Sequence, residues 1–228
     1  MPFTKLTFHR GQQVLIVQGM MHYGEKRIYN KIQKDVDLYS QQGYIFMEEG
    51  GFGSVDSYKF EDPEEEAIAK CLGVLLGMCA ALTEGTELVT QFDSIESTVK
   101  SVFCDLSFPE IVRALHAQGF LPNPRYMHIV QNLADLERAA QADPQRALEL
   151  QQEIYMLEEQ RRTGTDPVLL HRRNRRFVQT TEKYLRRKPD GKIYAHWGSY
   201  HLPGITRRLL MMRWALVKRQ RLLAGSFD

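Results

Sequence analysis

Two short turns near opposite ends of the 228-residue chain carry the residues best suited to chemistry. They are Gly19-Met20-Met21-His22 and Gly198-Ser199-Tyr200-His201, so both have the form Gly-x-x-His. A glycine three residues before a histidine permits a sharp turn and close approach of a ligand to the backbone. A pair of carboxylates, Glu48 and Glu49, follows another apolar run. Two imidazoles and one carboxylate can hold a divalent metal ion with a position left for water, or can act without metal as a general base and its orienting groups.

Each of these residues also has a purely structural explanation. His22 could be an ordinary loop residue, Glu48 and Glu49 could solvate a loop, and His201 could cap a helix. A site is favoured because every one of them stands where a predicted strand gives way to a loop, and open α/β sheets bind ligands outside the carboxyl ends of their strands. Adjacent strand residues point to opposite faces, so only one of the two glutamates should face the site.

Further candidates lie elsewhere in the chain. Arg173-Asn174 belongs to a basic run, and a buried arginine can pair with carboxylates or hold an anionic group through two hydrogen bonds. Arg175 and Arg176 fit a solvated face better. We expect His196 to be packed inside the last strand and Asp105 to cap a helix. The sequence contains no phosphate-binding loop, dinucleotide-binding glycine motif, serine-hydrolase elbow or H-E-x-x-H helix, which disfavours those classes.

Strands and helices alternate in a way that predicts an α/β fold. Phe3–Phe8 and Gln13–Val17 flank a turn at Arg10-Gly11, which indicates an N-terminal hairpin. The second run ends in four successive apolar residues, typical of a strand buried on both faces. A helix with an apolar stripe over 28–39 and a strand over 44–47 follow. This spacing predicts a βαβ unit with parallel strands.

The rest of the chain continues the alternation. We predict a helix from Asp62-Pro63-Glu64 to about Leu82, strands within 87–92 and 99–104, a capping box at 107–110, and helices from Asn123-Pro124 and from Asp143-Pro144, with helical composition over 133–162. After a break at 163–167, we predict a helix with Phe177, a strand over 192–197 and a terminal helix carrying Leu209, Leu210, Met212 and Leu216. The expected architecture is one domain, 1–228, with a mixed, mostly parallel sheet flanked by helices. Residues 60–165 would be a mostly helical insertion, and the basic part 166–228 would complete the site.

Composition points to a globular protein, with 43% hydrophobic and 10% aromatic residues. The apolar stretch from Cys71 to Thr83 carries no charged residue but is short of the ~20 residues that cross a bilayer, and Met1 to Lys5 lack the basic start and apolar run expected of a secretory signal. Cys71, Cys79 and Cys104 follow no disulfide or metal-binding spacing, which is typical of reduced core residues. We therefore expect a cytoplasmic protein without a membrane span.

The net charge of +2 conceals an asymmetry between the two parts of the chain. Residues 161–228 hold 17 Lys and Arg against 4 Asp and Glu, and an excess of acid in the earlier residues offsets them. A basic region can bind an anionic substrate, a membrane surface or nucleic acid. The pattern favours the plainer interpretation, in which the basic part docks on the acidic part of the same fold.

The motifs together give the chain a resemblance to a known family. They are the strand ending in Gly19-Met20-Met21-His22, a strand ending in glutamate, the pair Arg173-Asn174, and the strand followed by Gly198-Ser199-Tyr200-His201-Leu202-Pro203-Gly204. In these segments, about 14–50 and 170–206, the chain resembles the TraB/PrgY/Tiki (GumN-like) family, within a superfamily that includes erythromycin esterase-like and ChaN-like proteins. Residues 60–165 match only in outline.

The resemblance implies an α/β sheet with a site lined by His22, a glutamate, Arg173 and His201. The Glu-Gly form common in bacterial relatives favours Glu49, whereas the expected end of the strand allows Glu48. Relatives include metal-dependent proteases, other hydrolases, haem-binding proteins and proteins that control peptide signals. The fold alone does not decide among these activities.

A hydrolase of peptide or ester bonds is the function that we expect first. Its metal ligands would be His22, His201 and Glu49, holding Mn, Co or Zn, or one histidine would act as acid and base without metal. Arg173 would stabilise developing negative charge or orient the glutamate. The substrate would be a peptide or another small molecule.

Two other classes remain open. A binding module would use the same cleft to hold haem, with Tyr23, Tyr200 and His201 near the iron, or a small anionic ligand. An interaction protein would use the basic C-terminal region on nucleic acid or anionic lipid. This class, with nucleic acid and anionic lipid alike, is ranked third because the basic residues are interleaved with core-type Leu, Met and Trp at helical spacing. The helical region 133–162 also suits an interface between copies of the chain.

Overall fold

The structure, a computed structural model, describes residues 3–21, 23–50, 57–81, 88–96, 101–120, 122 and 167–222. His22 lies outside these stretches, as do residues 123–166, where the sequence predicts further helices. The chain divides into two compact units, the first made of Met1–Gly51, Met78–Leu106 and Leu170–Asp228 and the second of Phe52–Gly77 and Ser107–Leu169. The assignment of 1–228 to a single domain stays a prediction.

The described residues form alternating strands and helices. In chain order they are β1 (Thr4–Arg10), β2 (Gln13–Met20), β3 (Tyr23–Glu25), α1 (Lys26–Gln41), β4 (Ile45–Glu48), α2 (Pro63–Ala81), β5 (Leu88–Thr90), α3 (Gln91–Ser94), β6 (Ser101–Phe103), α4 (Phe108–His116), α5 (Arg173–Leu185), β7 (Lys192–Gly198), α6 (Leu202–Met211) and β8 (Ala215–Arg221). A π-helical turn, Pro167–Arg172, leads into α5, and a 3-10 turn, Ser199–His201, leads into α6. The predicted α/β class is confirmed.

Six strands of the first unit form one mixed sheet in the order β6-β4-β7-β2-β1-β8. The pairs β6–β4, β4–β7 and β7–β2 are parallel, and the pairs β2–β1 and β1–β8 are antiparallel. The N-terminal hairpin and the mostly parallel sheet are therefore as predicted. The strands of the βαβ unit, β2 and β4, are parallel as expected, and β7 from the C-terminal part lies between them.

Helices cover both faces of this sheet. One hydrophobic cluster joins the strands to α5 and α6 and includes Val17, Met47, Trp197, Phe177 and Leu209. Another, on the opposite face, joins the strands to α1 and consists of Ile16, Val36, Phe46 and Tyr194. Burial on both faces is what gives β2 its run of apolar residues.

Helix α1 follows the predicted stripe. Ile28, Ile32 and Val36 are buried. Tyr39, at the end of the stripe, stacks on Tyr194 with ring centroids 4.7 Å apart. Gly43 takes a φ of +75° just after the helix, so it provides the left-handed residue that commonly ends a helix.

The C-terminal end differs from the predicted terminal helix. Helix α6 ends at Met211, and Ala215–Arg221 form β8 at the edge of the sheet, antiparallel to β1. Leu209 is buried, but Leu216 is 39% exposed. The helical assignment of Met212 and Leu216 was wrong because the spacing of apolar residues does not reveal pairing with a strand at the other end of the chain.

The second unit contains α4 and most of α2. The side chain of Asp62 caps α2 by accepting the Glu64 N–H at 2.8 Å. At the start of α4, the predicted capping box is present, with Glu110 Oε2 accepting the Ser107 N–H at 2.8 Å. Both helix starts therefore follow the local sequence signals.

Within the described stretches, no helix is both long and apolar enough to cross a bilayer. Cys71 and Cys104 are buried, in line with their predicted role as core residues. The side chain of Cys79 lies outside the described residues.

Candidate active site

The candidate site lies at the edge of the sheet where four parallel strands end. Met20 at the end of β2 pairs with Gly198 at the end of β7, and Glu48 at the end of β4 pairs with Phe103 at the end of β6. Parallel strands present their carboxyl ends on one side. The loops that carry the candidate residues therefore start along one edge.

Arg173, the first residue of α5, joins two of these loops. Its Nη2 donates to Glu49 Oε1 at 2.5 Å and to Asp105 Oδ2 at 2.5 Å. Its Nε lies 3.0 Å from each carboxylate oxygen of Asp105. One guanidinium thus binds the carboxylates that follow β4 and β6, an arrangement of charge-assisted hydrogen bonds.

This cluster is withdrawn from solvent. The side chains of Arg173, Glu49 and Asp105 are 9%, 11% and 0% exposed. Burial by itself lowers the pKa of Arg173, but the charges of Glu49 and Asp105 and their hydrogen bonds raise it above its ordinary value. The guanidinium is therefore permanently charged, and with two carboxylates the group carries a formal charge of about −1.

His201 lies beside Glu49, at the end of the 3-10 turn after β7. Its Nδ1 lies 2.7 Å from Oδ1 of Asn174, the neighbour of Arg173 on α5. Because an amide oxygen only accepts, Nδ1 carries the hydrogen. Nε2 then lies 3.6 Å from Glu49 Oε1, and in the neutral ring it holds a lone pair that can accept a proton or bind a metal.

Two glycines leave the space that these side chains occupy. The N–H of Gly198 donates to Glu49 Oε2, and a Cβ at Gly198 would lie 3.0 Å from the same oxygen. A Cβ at Gly204 would lie 2.3 Å from Asn174 Nδ2, closer than real Cβ contacts. The lack of a side chain at Gly198 and Gly204 therefore leaves room for the side chains of Glu49 and Asn174.

The two predicted glutamates lie differently. Glu49 contacts Arg173 and the N–H of Gly198, as described above. Glu48 pairs in register with His196 on the face that α1 covers, since alternation puts it opposite to Met47. Among the predicted site residues, the structure thus brings Glu49, Arg173 and His201 together, leaves Glu48 on the other face, and does not describe His22.

Asp105 corrects one prediction and adds a residue to the site. The cap of α4 is Ser107, whereas Asp105 accepts hydrogen bonds from Arg173 and from the N–H groups of Gly50 and Leu106, at 3.2 and 2.7 Å for the two backbone donors. The capping assignment was wrong because it considered only local sequence. The signal that could have found Asp105 is its place after a parallel strand, which matches that of Glu49.

His196 is a packed histidine, as expected. It is 4% exposed, and its Nε2 has no hydrogen-bond partner among the described residues. Tyr194 and Phe46 pack edge-on to its ring, with centroids 5.0 and 6.5 Å away. Burial lowers the pKa of His196 to about 4, so the ring is neutral near pH 7.

The predicted metal ligands fit in part. Two ligands about 2.1 Å from one tetrahedral ion lie roughly 3.4 Å apart, close to the 3.6 Å between Glu49 Oε1 and His201 Nε2. The formal negative charge also favours a cation, although Arg173 competes for the same oxygen. The part of the chain that the structure describes contains no group of three or more His, Cys, Asp or Glu placed to hold a metal. It thus offers two of the three predicted ligands, and His22 lies outside it.

Comparison of the chain with family models, curated proteins and solved structures found no match. The resemblance to the TraB/PrgY/Tiki family therefore stays a prediction that rests on the motif residues. Function has to be argued from the geometry of the site.

Proposed function

We propose that the protein is a hydrolase of peptide or ester bonds and that Glu49 and His201 are its reacting groups. One observation carries the proposal: a largely buried carboxylate, 11% exposed, lies 3.6 Å from an imidazole nitrogen at the carboxyl edge of a parallel sheet. Each of the two groups is held by a neighbouring residue of α5, Arg173 for the carboxylate and Asn174 for the imidazole. Such fixed pairs are typical of sites that transfer protons.

The proton steps follow from the orientation of His201. Nε2 accepts a proton from a water molecule while the water oxygen bonds to the carbonyl carbon of the substrate. When the bond to the leaving group breaks, Nε2 returns the proton to the ester oxygen or amide nitrogen that departs. The carboxylate of Glu49 stabilises the imidazolium between these steps.

Arg173 and Asn174 act through these two groups as positioning residues. The guanidinium fixes the carboxylate of Glu49 between α5 and β7, and the amide of Asn174 fixes the ring and tautomer of His201. Asp105 holds the guanidinium in turn. Precise placement of this kind contributes much of the rate in hydrolytic sites.

A divalent ion, Mn, Co or Zn, would be held by Glu49 and His201, with His22 as the further ligand. Such an ion supplies a Lewis acid and an acidified water. Arg173 and Asn174 would then orient the ligands from outside, as hydrogen-bonding partners of metal ligands usually do.

The second candidate, a module for haem or a small anionic ligand, has less support. Arg173 is already bound by two carboxylates, so the cluster has no surplus positive charge for an anion. Tyr200 is 59% exposed, and the side chain of Tyr23 lies outside the described residues. A titration with haemin tests this candidate, because haem binding predicts a shifted Soret band that is lost in His201→Ala.

The test of the proposal is hydrolysis of a panel of p-nitrophenyl esters and fluorogenic peptides by the purified protein. Glu49→Gln and His201→Gln should each lower kcat/KM by about a hundredfold or more, since His201→Gln removes the group that transfers the proton and Glu49→Gln removes the charge that stabilises its protonated form. Glu48→Gln is the matched control, because it changes the same residue type one position earlier on the other face. Its kcat/KM should stay within about twofold of the wild type.

Two results would contradict the proposal. One is the absence of turnover of every ester and peptide in the panel by well-folded protein supplied with Mn, Co or Zn. The other is equal loss in Glu49→Gln and Glu48→Gln. Elemental analysis of the wild type, His22→Ala and His201→Ala decides the metal: a metal-dependent hydrolase loses both bound ion and turnover in the two variants.

A further inference from the structure

The end of α6 and the start of β8 expose an unusual number of large apolar side chains. Of the eight large hydrophobic residues exposed in the described part of the chain, five lie within 210–217. They are Leu210, Met211, Met212, Leu216 and Val217, with exposed fractions from 39% to 76%. Single exposed apolar residues are common on protein surfaces, but a contiguous group marks a binding surface.

A groove continues this surface toward the sheet. It has a volume of about 490 Å³ and lies on the first unit between α6, β1 and β8. Its apolar wall includes Leu6, Leu202 and Leu210, and two arginines, Arg207 and Arg219, also line it. Its size is within the usual range for sites that hold small organic groups.

The charged residues of the segment that carries the apolar group all have one sign. Between Leu202 and Leu222 the chain contains six cationic residues and no carboxylate. The six are Arg207, Arg208, Arg213, Lys218, Arg219 and Arg221. Apolar side chains next to cationic ones are typical of surfaces that bind lipid bilayers, in which anionic headgroups cover an apolar interior.

The tip of this surface, residues 211–213, is held in place by its neighbours. Trp214 is 2% exposed and its Nε1 donates to Glu182 Oε1 at 2.9 Å, while the guanidinium of Arg10 stacks 4.5 Å from its ring. Arg213 takes a φ of +65°, which turns the chain sharply before this anchor. The buried tryptophan therefore fixes a turn whose most prominent side chain, Met211, is 76% exposed.

We propose that this surface, residues 207–221, binds the face of a membrane that contains anionic phospholipids. Met211, Leu210 and Met212 enter the boundary between headgroups and acyl chains, and the arginines and the lysine contact the lipid phosphates. The binding is peripheral. The proposal is independent of the hydrolase activity, because its test measures binding to vesicles and changes none of Glu49, Arg173 and His201.

Two other occupants, a second copy of the chain and nucleic acid, fit this surface less well. Two copies of this surface would place like charges against each other, which disfavours a dimer through β8. Nucleic acid would use the arginines but would not need Leu210, Met211 and Met212 exposed.

The experiment is sedimentation of the full-length protein with vesicles of phosphatidylcholine alone and of phosphatidylcholine in which one lipid in four is phosphatidylserine. Binding is expected only to the anionic vesicles, and it should weaken steeply with added salt. Met211→Ser should weaken it severalfold, and Arg207→Glu with Arg213→Glu should weaken it by about tenfold or more. Circular dichroism and gel filtration check that each variant is folded.

The matched controls lie elsewhere on the first unit. Leu38→Ser removes a leucine that is 46% exposed on α1, and Arg186→Glu with Arg187→Glu reverses the same number of charges at exposed positions after α5. Both controls should bind anionic vesicles as the wild type does. Equal loss in each control and its test variant overturns the proposal, because binding would then not depend on the position of the apolar or cationic residues.

Other outcomes also overturn it. No sedimentation of folded wild-type protein with anionic vesicles at low salt is one. A wild-type dimer that Met211→Ser converts to a monomer, without vesicle binding, assigns the surface to self-association. Tight binding of oligonucleotides that depends on the arginines and not on Met211, without vesicle binding, assigns it to nucleic acid.

Discussion

At the scale of single residues, Arg173 is the most constrained side chain of the site. It is buried between two carboxylates, and removal of one partner from a buried ion pair leaves charge without compensation. Arg173→Met should lower the free energy of unfolding by about 3–5 kcal/mol. Lysine keeps the charge but not the paired hydrogen bonds, so Arg173→Lys should cost less. Urea unfolding followed by tryptophan fluorescence measures both.

Controls for Arg173 come from the same cluster and the same helix. Arg175→Met, at an exposed position of α5, should change the free energy of unfolding by no more than about 0.5 kcal/mol. Adding Asp105→Asn to Arg173→Met should recover part of the lost free energy of unfolding, because it removes one of the two carboxylates that no longer have the guanidinium as a partner. The ion pairs do not stabilise the fold if Asp105→Asn recovers no stability in the Arg173→Met variant and if Arg175→Met costs as much as Arg173→Met.

His196 predicts how stability depends on pH. Its pKa is about 4 when folded and near 6.5 when unfolded, so on acidification the unfolded chain binds the proton first. The contribution of the neutral ring is complete above about pH 6.5 and is lost as the pH falls toward 4. Between about pH 7.5 and pH 5 the free energy of unfolding of the wild type should fall by about 2 kcal/mol more than that of His196→Gln.

The same urea experiment at the two pH values checks this prediction. Trp197 and Trp214 both belong to the first unit, so their fluorescence reports the unfolding around His196. His9→Gln is the control, because His9 is exposed on β1, and this variant should keep the acid sensitivity of the wild type. Identical pH dependence in wild type and His196→Gln would refute the assignment of that sensitivity to the buried ring.

The sequence predicted some site residues better than others. Glu49, Arg173 and His201 were expected to lie together, because residue type, strand ends and motif spacing all pointed to them. Asp105 was assigned to a cap because a local signal was available and its partner Arg173 is 68 residues away. Contacts between distant residues of ordinary type leave no local pattern.

At the scale of elements, the contact between α5 and α6 positions the imidazole. Gly204 lies against Asn174, where a Cβ would come within 2.3 Å of the amide nitrogen. Alanine is normally favoured over glycine in a helix by about 1 kcal/mol. Gly204→Ala should nevertheless lower kcat/KM by tenfold or more, on the order of a misplaced catalytic group, because Asn174 must move and release His201.

A double-mutant cycle separates this contact from other effects of the substitution. When Asn174 is already alanine, Gly204→Ala should cost no further activity and should stabilise the helix. Thermal unfolding and kcat/KM of the four proteins give the answer. Additive losses would show that Gly204 acts by another route.

Elements with a clear local pattern were predicted well, whereas β8, which depends on pairing alone, was not. Helix α1 and the capping box of α4 follow short-range signals, and both are present. Strand β8 is formed by pairing with β1, so its apolar residues could be read equally as part of a helix. The position of Leu216 in that strand also exposes it, instead of placing it in the core.

At the scale of the whole molecule, β7, from the C-terminal part of the chain, joins two strands of the N-terminal part. It pairs with β2 on one side and β4 on the other, so the parallel part of the sheet depends on a segment near the C-terminus. A chain that ends after Gly191 should lose cooperative unfolding, because β2 and β4 lose their common partner. A chain that ends after Trp214 lacks the edge strand β8 but keeps β7, and it should unfold cooperatively at lower stability.

Far-UV circular dichroism during thermal unfolding distinguishes these two truncations. A cooperative transition in the shorter chain would mean that β7 is dispensable for the sheet. The class of fold was predictable because periodicity reports on elements, whereas the strand order was not, because it depends on contacts between the two ends of the chain.

The central claim is that Glu49 and His201 react as parts of one site. Its most direct test is a double-mutant cycle on kcat/KM with Glu49→Gln, His201→Gln and the combined variant. Residues that act as a unit lose their effect together, so the double variant should be within about threefold of the more damaged single variant. If the two losses multiply, or if either single variant keeps the activity of the wild type, the two residues do not form the reacting unit proposed for this protein.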